Sequence, residues 1–235
     1  MRAILLAIVM AAPAEAQEKM PTAPLPDTLF PSNFGGDYAL IDHRGNTRTQ
    51  TDPDGNIQLV FFGYASCRAI CTVALPIMSN VTAELAASDI YVTPLLITVD
   101  PATDTVEAMG PALDRFAPGL TGLTGSEADL AAVRDMFHVE SAYLFTDPRG
   151  VDVYSHGSHI FVMDGDGGFL TLLPPILSAE RMVEIVKGFA CWRPPHWPSR
   201  TTLPSACSWS RPIWTRPAGP PPPSTKSSMP MCSKA

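Results

Sequence analysis

Patterns typical of strands alternate with patterns typical of helices along the middle of this 235-residue chain. Apolar runs over 58–64 and 90–99 predict two buried strands, and Pro94 predicts that the second strand begins at a sheet edge or bulge. A turn sequence at 164–167 separates two further apolar runs and predicts a β-hairpin. Amphipathic patterns and start signals predict helices over 72–87, 104–116, 126–137 and 178–189. This order predicts an α/β fold, a thioredoxin-like sandwich with a central mixed sheet, flanking helices and a C-terminal hairpin plus helix.

Apolar spacing within the first and last helices predicts which side of each helix faces the core. In the first helix the predicted face consists of Val73, Ile77, Val81 and Leu85. In the last helix the inward residues are expected to be Met182, Ile185, Val186 and Phe189.

Both ends of the chain differ in composition from the middle. Residues 1–16 contain one basic residue, an apolar run and small residues, which predicts a secretory signal peptide. Its apolar run is about half the roughly 20 residues that span a bilayer, and an uncleaved membrane anchor is the alternative. Residues 17–34 predict a proline-rich linker and residues 35–190 a single domain. Residues 191–235, rich in Pro, Ser and Trp, predict a disordered tail, for which a shifted reading frame is the alternative explanation.

The charge of the chain argues against a nucleic-acid-binding protein. The chain has 16 basic and 23 acidic residues and a formal net charge of −7, with no cluster of Lys or Arg. Binding to phosphate backbones depends on basic side chains that displace counterions, and this chain offers few of them. The sequence therefore predicts no nucleic-acid partner.

Two cysteines, Cys67 and Cys71, lie in the loop between the first predicted strand and its helix. Unpaired N–H groups and the positive dipole end at a helix start stabilise a thiolate. In an oxidising compartment such a pair forms a disulfide, a redox couple or a metal site. The three intervening residues argue against a thioredoxin-type disulfide exchanger, which has two, and a bridge closing so short a loop stabilises little.

Several sequence blocks resemble successive blocks of the SCO/SenC family. They lie at 35–40, 61–71, 96–105 and 122–125, followed by His156 ahead of the block at 161–167. The family consists of copper-binding thioredoxin-fold proteins that help to assemble the binuclear copper centre of cytochrome c oxidase. The resemblance implies a copper site made of Cys67, Cys71 and His156.

The donor types agree with copper. Two thiolates and one imidazole form a soft set that suits Cu(I), and with an added ligand the same donors can hold Cu(II). Zinc accepts the same residues together with a water molecule, so residue types alone leave both metals open. The family resemblance favours copper, with one ion per chain.

The other histidines of the domain are weaker ligand candidates. His43 lies in a polar turn and His138 follows a predicted helix, so each is expected to be solvated or to cap a helix. His159 aligns with an apolar position of the family and is expected to be a core residue or a neighbour of the ligands. His156, followed by Gly157, is the preferred ligand.

Two pairs of acidic residues are expected to have local structural roles. Asp100 and Asp104 follow the second predicted strand and are predicted to cap the next helix. Asp164 and Asp166 are predicted to be hairpin-turn residues, because the rest of an EF-hand loop is missing around them.

The cysteine loop departs from the family at two positions. Arg68 and Thr72 stand where a proline commonly follows each cysteine. Without these prolines the start of the helix is expected to be more mobile. The positive charge of Arg68 is expected to lower the pKa of the neighbouring thiols.

The resemblance implies a metallochaperone rather than an enzyme, and the predicted signal peptide implies that it is exported to the periplasm. It would carry copper, as Cu(I), Cu(II) or both, to the copper-receiving subunit of cytochrome c oxidase, with another periplasmic copper carrier as a second partner. It would meet the membrane only through the oxidase or an uncleaved signal. Two alternatives stay open: a thiol–disulfide reductase that uses Cys67 and Cys71 on the oxidase subunit, and a copper-dependent redox sensor.

Overall fold

The computed structural model describes residues 34–115 and 117–191. The helices of this part are α1 (Cys71–Ala86), α2 (Val106–Leu113), α3 (Glu127–Met136) and α4 (Ala179–Cys191). Its strands are β1 (Ala39–Asp42), β2 (Thr47–Thr49), β3 (Ile57–Gly63), β4 (Val92–Thr98), β5 (Thr121–Thr124), β6 (Ala142–Thr146), β7 (Asp152–Ser155), β8 (Ile160–Met163) and β9 (Phe169–Leu173).

Seven strands form one mixed sheet in the order β2-β1-β5-β4-β3-β8-β9, and β6 and β7 form a separate antiparallel hairpin. β3, β4 and β5 are parallel, whereas β8 pairs antiparallel with both β3 and β9. α1 packs on β3, β4 and α4, while α2 contacts β5 and α3 contacts β1. The predicted α/β sandwich, with its mixed sheet and its C-terminal hairpin and helix, is confirmed.

The two predicted core strands correspond to β3 and β4. All seven residues of β3 are buried, because this strand lies between β4 and β8 in the sheet. The start of β4, including Pro94, pairs with β3 alone, since pairing with β5 begins at Leu95. Pro94 therefore occupies the edge-like position that its missing N–H requires.

Helix α1 exposes one residue that the sequence pattern places in the core. Val73 is 49% exposed and Ile77 is half-buried, so the predicted face is wrong at its N-terminal end. Helical residues are separated by about 100°, and the residues that are buried lie around a different line on the helix. They are Cys71, Ala74, Leu75, Met78, Val81 and Leu85.

The remaining helices follow the predictions with shifted ends. α3 has the predicted cap, since the Ser126 side chain accepts a hydrogen bond from the Asp129 N–H. α2 is shorter than predicted and starts after Thr105, whose side chain accepts from the Ala108 N–H. In α4 the predicted residues Met182 and Val186 are buried, Ile185 and Phe189 are half-buried, and Val183 is also buried.

The predicted signal peptide, the linker up to residue 33 and the tail from 192 onward lie outside the described residues. Within the described part, α4 extends to Cys191, one residue past the predicted end of the domain. None of the helices in that part is long and apolar enough to cross a membrane.

Candidate metal centre

The loop that joins β3 to α1 carries Cys67 and Cys71. The Cys67 N–H donates to the Tyr64 carbonyl at 3.1 Å, and Cys71 is the first residue of α1. Both sulfurs are unbonded thiols, so the structure contains no disulfide between them. The N-cap residue Ile70 provides no capping side chain. The sulfur of Cys67 lies at this uncapped helix start, where backbone N–H groups favour a negative charge.

His156 reaches the same place from a distant part of the chain. β3 and β8 are antiparallel neighbours, so the residues that precede β8 lie beside the end of β3. His156 lies four residues before Ile160, between β7 and β8. Its Nε2 is 3.7 Å from the Cys67 Sγ and 3.6 Å from the Cys71 Sγ. The sheet topology therefore brings together the three residues that the sequence predicted as ligands.

The orientation of the imidazole suits metal binding. The His156 Nδ1 lies 2.9 Å from the carbonyl oxygen of Gly157. Because a carbonyl oxygen can only accept, this contact places a proton on Nδ1 and leaves Nε2 as the electron-pair donor. Nε2 is the nitrogen that faces both sulfurs.

Two aromatic rings hold the imidazole in place. The rings of Phe61 and Tyr64 meet His156 edge to face, with centroids 5.8 Å and 5.7 Å away. Burial raises the pKa of Tyr64 to about 12, so its hydroxyl is an even weaker acid than that of a solvated tyrosine. Sequence analysis missed both rings because the apolar run that contains them indicates only a buried strand.

The two thiols differ in acidity. A hydrogen bond from the Cys71 thiol lowers the pKa of Cys67, and the backbone N–H groups of Ala69 and Cys71 add to this effect. The same hydrogen bond and burial raise the pKa of Cys71. The hydrogen bond between the two sulfurs therefore favours a thiolate at Cys67 beside a thiol at Cys71, and a metal ion bound by both sulfurs displaces the remaining proton. Arg68 is exposed, and its charge is not needed to explain the acidity of Cys67.

The spacing of the three donors fits one metal ion. The two sulfurs and the imidazole nitrogen all lie within 4.8 Å of one another. Bonds of about 2.3 Å to sulfur and about 2.0 Å to nitrogen, at an angle of roughly 110–120°, separate the donors by about 3.5–3.7 Å. The observed distances from sulfur to nitrogen match this geometry.

The other three histidines of the described residues lie outside this cluster. His43 is half-buried and its Nδ1 accepts the Gly122 N–H at 3.0 Å, so it joins the β1 turn to β5 and the prediction of a solvated or capping residue is wrong. His138 is exposed just past α3, as predicted. His159 is exposed, and the prediction of a core position is wrong because burial begins only with Ile160, the first residue of β8.

The acidic residues divide into one confirmed pair and one corrected pair. Asp164 accepts the backbone N–H groups of Asp166 and Gly168 and closes the hairpin turn, as predicted. Asp100 and Asp104 do not cap α2, since Thr105 does. The Asp104 carboxylate instead accepts the N–H of Ala65 in the cysteine loop, at 3.0 Å. This long-range contact has no signal in the local sequence, where DxxxD resembles an ordinary helix start.

The fold and the site together define a class of protein. It is a thioredoxin-like domain with a Cys–Cys–His cluster between the start of α1 and the segment that precedes β8. The family model described as SCO1/SenC matches residues 26–190. The chain belongs to the SCO1/SenC family. The sequence resemblance to this family is thus confirmed.

Individual relatives agree with this assignment. The mitochondrial SCO2 homologue of Bos taurus is 36% identical over 157 residues, which cover 65% of this chain and 58% of that protein. An SCO2-like protein of Rickettsia felis is 32% identical over 156 residues, 66% of this chain and 76% of the relative. The solved structure of Bradyrhizobium japonicum ScoI with copper bound has a TM-score of 0.59 and 29% identity, covering 66% of this chain and 98% of that one.

Proposed function

We propose that this protein is a copper-binding chaperone for the assembly of cytochrome c oxidase. The observation that carries the proposal is the convergence of Cys67, Cys71 and His156, whose donor atoms lie within 4.8 Å of one another. The copper-bound ScoI of B. japonicum supports copper as the cargo. The cargo is one copper ion per chain, held as Cu(I) by the three donors or as Cu(II) with an added ligand.

The burial of the donors indicates how copper leaves. Cys67 and Cys71 are 4% and 0% exposed, whereas His156 is half-buried. An acceptor ligand therefore approaches copper from the side of His156. The copper-receiving subunit of the oxidase is the proposed acceptor, and another periplasmic carrier is the proposed copper source.

The hairpin that leads into His156 provides a surface for that acceptor. Tyr143, Leu144 and Phe145, all on β6, are each more than half exposed. β6 pairs only with β7, so its other edge offers unpaired backbone groups within the described part of the chain. Contiguous exposed apolar side chains and open strand edges are typical of protein interaction sites.

A thiol–disulfide reductase is the second candidate, because Cys67 and Cys71 are unbonded thiols held close together at the start of α1. An acidic Cys67 next to a less acidic Cys71 resembles an attacking thiolate and its resolving partner. The same Cys67 and Cys71 pair would then reduce the cysteines of the oxidase subunit. The histidine distinguishes the two candidates, because a reductase does not require a third metal ligand.

His156→Ala tests the two candidates against each other. The substitution removes one copper donor but leaves both thiols, so the chaperone proposal predicts a loss of Cu(II) binding and of oxidase assembly while dithiol–disulfide cycling continues. Cys67→Ser is the matched control and should abolish both activities. Normal oxidase assembly in cells with His156→Ala, together with failure in cells with Cys67→Ser, would favour the reductase.

We further propose roles for the segments on either side of the copper-binding domain. Residues 1–16 act as an export signal, so the domain works in the periplasm, and residues 17–34 link the two. The tail at 191–235 is not required for copper binding. N-terminal sequencing of the protein recovered from a periplasmic fraction tests the export signal, and an intact Met1 in the cytoplasmic fraction would contradict it.

A further inference from the structure

Asp100 and Asp104 are buried acidic residues that the proposed copper chemistry does not use. They follow β4 and are 3% and 2% exposed. Burial of a carboxylate is unfavourable unless its oxygens accept hydrogen bonds. Neither side chain caps α2, so the contacts that they make elsewhere explain their burial.

Asp104 is hydrogen-bonded to the cysteine arm of the site, which is the loop that joins β3 to α1. Its Oδ2 accepts the Ala65 N–H at 3.0 Å and the Thr98 hydroxyl at 2.7 Å. Ala65 lies two residues before Cys67. Because hydrogen bonds to a buried charged group are stronger than neutral ones, this contact fixes the backbone from which the cysteine loop starts.

Asp100 faces the histidine arm, which runs from β7 through His156 to the start of β8. Its Oδ1 lies 3.5 Å from the hydroxyl of Tyr154, two residues before His156. The Tyr154 ring also packs edge to face on Tyr64, with centroids 5.6 Å apart, and its N–H lies 3.4 Å from the Tyr64 hydroxyl. These are longer contacts than those of Asp104, so the histidine arm is held mainly by aromatic packing and more weakly by Asp100.

The two acidic residues belong to one rigid turn. The Asp100 N–H donates to the Thr98 hydroxyl oxygen at 2.9 Å, and that hydroxyl donates to Asp104. The Asp100 carbonyl accepts the N–H groups of Thr103 and Asp104. A displacement of this turn would therefore move the starts of both arms together.

We infer that Asp100 and Asp104 are positioning residues that set the distance between the cysteine pair and His156. Asp104 acts through Ala65 on the cysteine loop, and Asp100 acts through Tyr154 on the histidine arm. The inference rests on the proposed function, since it assigns to these residues the geometry of the proposed copper ligands. Cu(II) is expected to be more sensitive than Cu(I), because it requires more donors in a defined arrangement.

The test compares the full-length protein with Asp104→Ala, Asp104→Asn and Tyr154→Phe, each loaded with Cu(II). Absorption and electron paramagnetic resonance spectra report the ligand geometry, and competition titration reports the Kd. Asp104→Ala should shift the spectra and weaken Cu(II) binding at least tenfold. Asp104→Asn, which keeps an acceptor oxygen, should restore most of the wild-type spectrum, and Tyr154→Phe should cause a smaller shift.

Asp42→Ala is the control for a purely structural effect. Asp42 is as buried as Asp104, and its side chain accepts the backbone N–H groups of Arg44 and Asn46 in the turn after β1, away from the two arms in the sequence. Asp42→Ala should lower the Tm and leave the copper spectra unchanged.

Wild-type spectra and affinity in Asp104→Ala, or an equal spectral shift in Asp42→Ala, would overturn the inference. If Asp104→Ala does not fold, a wild-type spectrum in Tyr154→Phe would overturn the role of Asp100, and a shifted spectrum in Asp104→Asn would count against positioning by Asp104. Failure of the wild-type protein to bind copper would instead contradict the proposed function.

Discussion

Gly63, the last residue of β3, lies directly behind the sulfur of Cys71. A Cβ placed on Gly63 would be 2.8 Å from the Cys71 Sγ and 3.0 Å from a ring carbon of Phe61. Neither neighbour can move easily, because Cys71 and Phe61 are fully buried. The absence of a side chain at residue 63 is therefore a condition for the position of one proposed copper ligand.

Gly63→Ala should displace the Cys71 sulfur and weaken copper binding. We expect at least a tenfold higher Kd for Cu(I) and a loss of about 1–3 kcal/mol in the free energy of unfolding, the usual cost of overpacking a core. Competition titration and urea unfolding measure the two effects. Gly188→Ala in α4 is the matched control, since a Cβ there meets no atom within 4 Å. Equal copper affinity of the two variants would show that Gly63 has no influence on the site.

The raised pKa of Asp104 predicts how the free energy of unfolding depends on pH. Burial raises this pKa to about 6, against hydrogen bonds from Thr98 and Ala65 that lower it. The native state therefore holds this proton more tightly than the unfolded chain, whose value is 3.8. Protonation of Asp104 therefore stabilises the native state relative to the unfolded chain. This contribution is fully present below the unfolded pKa of 3.8 and is lost as the pH rises through about 6.

Urea unfolding of the metal-free protein and of Asp104→Asn at several pH values checks this prediction. The free energy of unfolding of the wild type, relative to the variant, should fall by about 2–3 kcal/mol between roughly pH 4 and pH 7. Asp42→Asn serves as a control, because the pKa of Asp42 is shifted down by its backbone and side-chain hydrogen bonds, although burial opposes them. A difference between wild type and Asp104→Asn that is constant with pH would contradict the raised pKa.

Sequence patterns identify the elements that have a long apolar run, a helical period or a start signal. β3 and β4 contain apolar runs, the four helices have apolar spacing or start signals, and a turn sequence marks the β8–β9 hairpin. β1, β2 and β5 have only three or four residues each, too few for a period to show. β6 and β7 were missed because all residues of β6 are exposed, so its apolar side chains do not alternate with polar ones.

The β6–β7 hairpin should contribute to copper transfer but not to copper binding. Leu144→Ser combined with Phe145→Ser removes two of its exposed apolar side chains, far less disruptively than a core substitution. We expect an unchanged copper stoichiometry and an unchanged rate of copper loss to a small chelator. The rate of transfer to the purified copper-binding domain of the oxidase subunit should fall at least fivefold.

Ile176→Ser is the control for this experiment. Ile176 is 89% exposed and lies in the segment between β9 and α4, outside the hairpin. Its substitution should leave transfer to the oxidase domain unchanged. Equal transfer by the hairpin variant and the wild type would exclude the hairpin as the docking surface.

At the scale of the whole molecule, the site exists because the sheet joins two segments that are far apart in the chain. Cys67 and His156 are separated by 89 residues and meet through the antiparallel pairing of β3 with β8. The spacing of Cys67 and Cys71 can be seen in the sequence, and the resemblance to the family supplied His156. The supports of the site, Gly63, Tyr64 and Asp104, could not be predicted, since their roles arise from contacts across the fold.

Copper titration of the reduced and the oxidised full-length protein tests the central claim most directly. A disulfide between Cys67 and Cys71 removes both thiolate donors and leaves His156 alone. We predict that the reduced protein binds one copper ion per chain and that the oxidised protein binds less than a tenth of that amount at the same free copper concentration. Equal stoichiometry in the two states would contradict a copper site built on this cysteine pair.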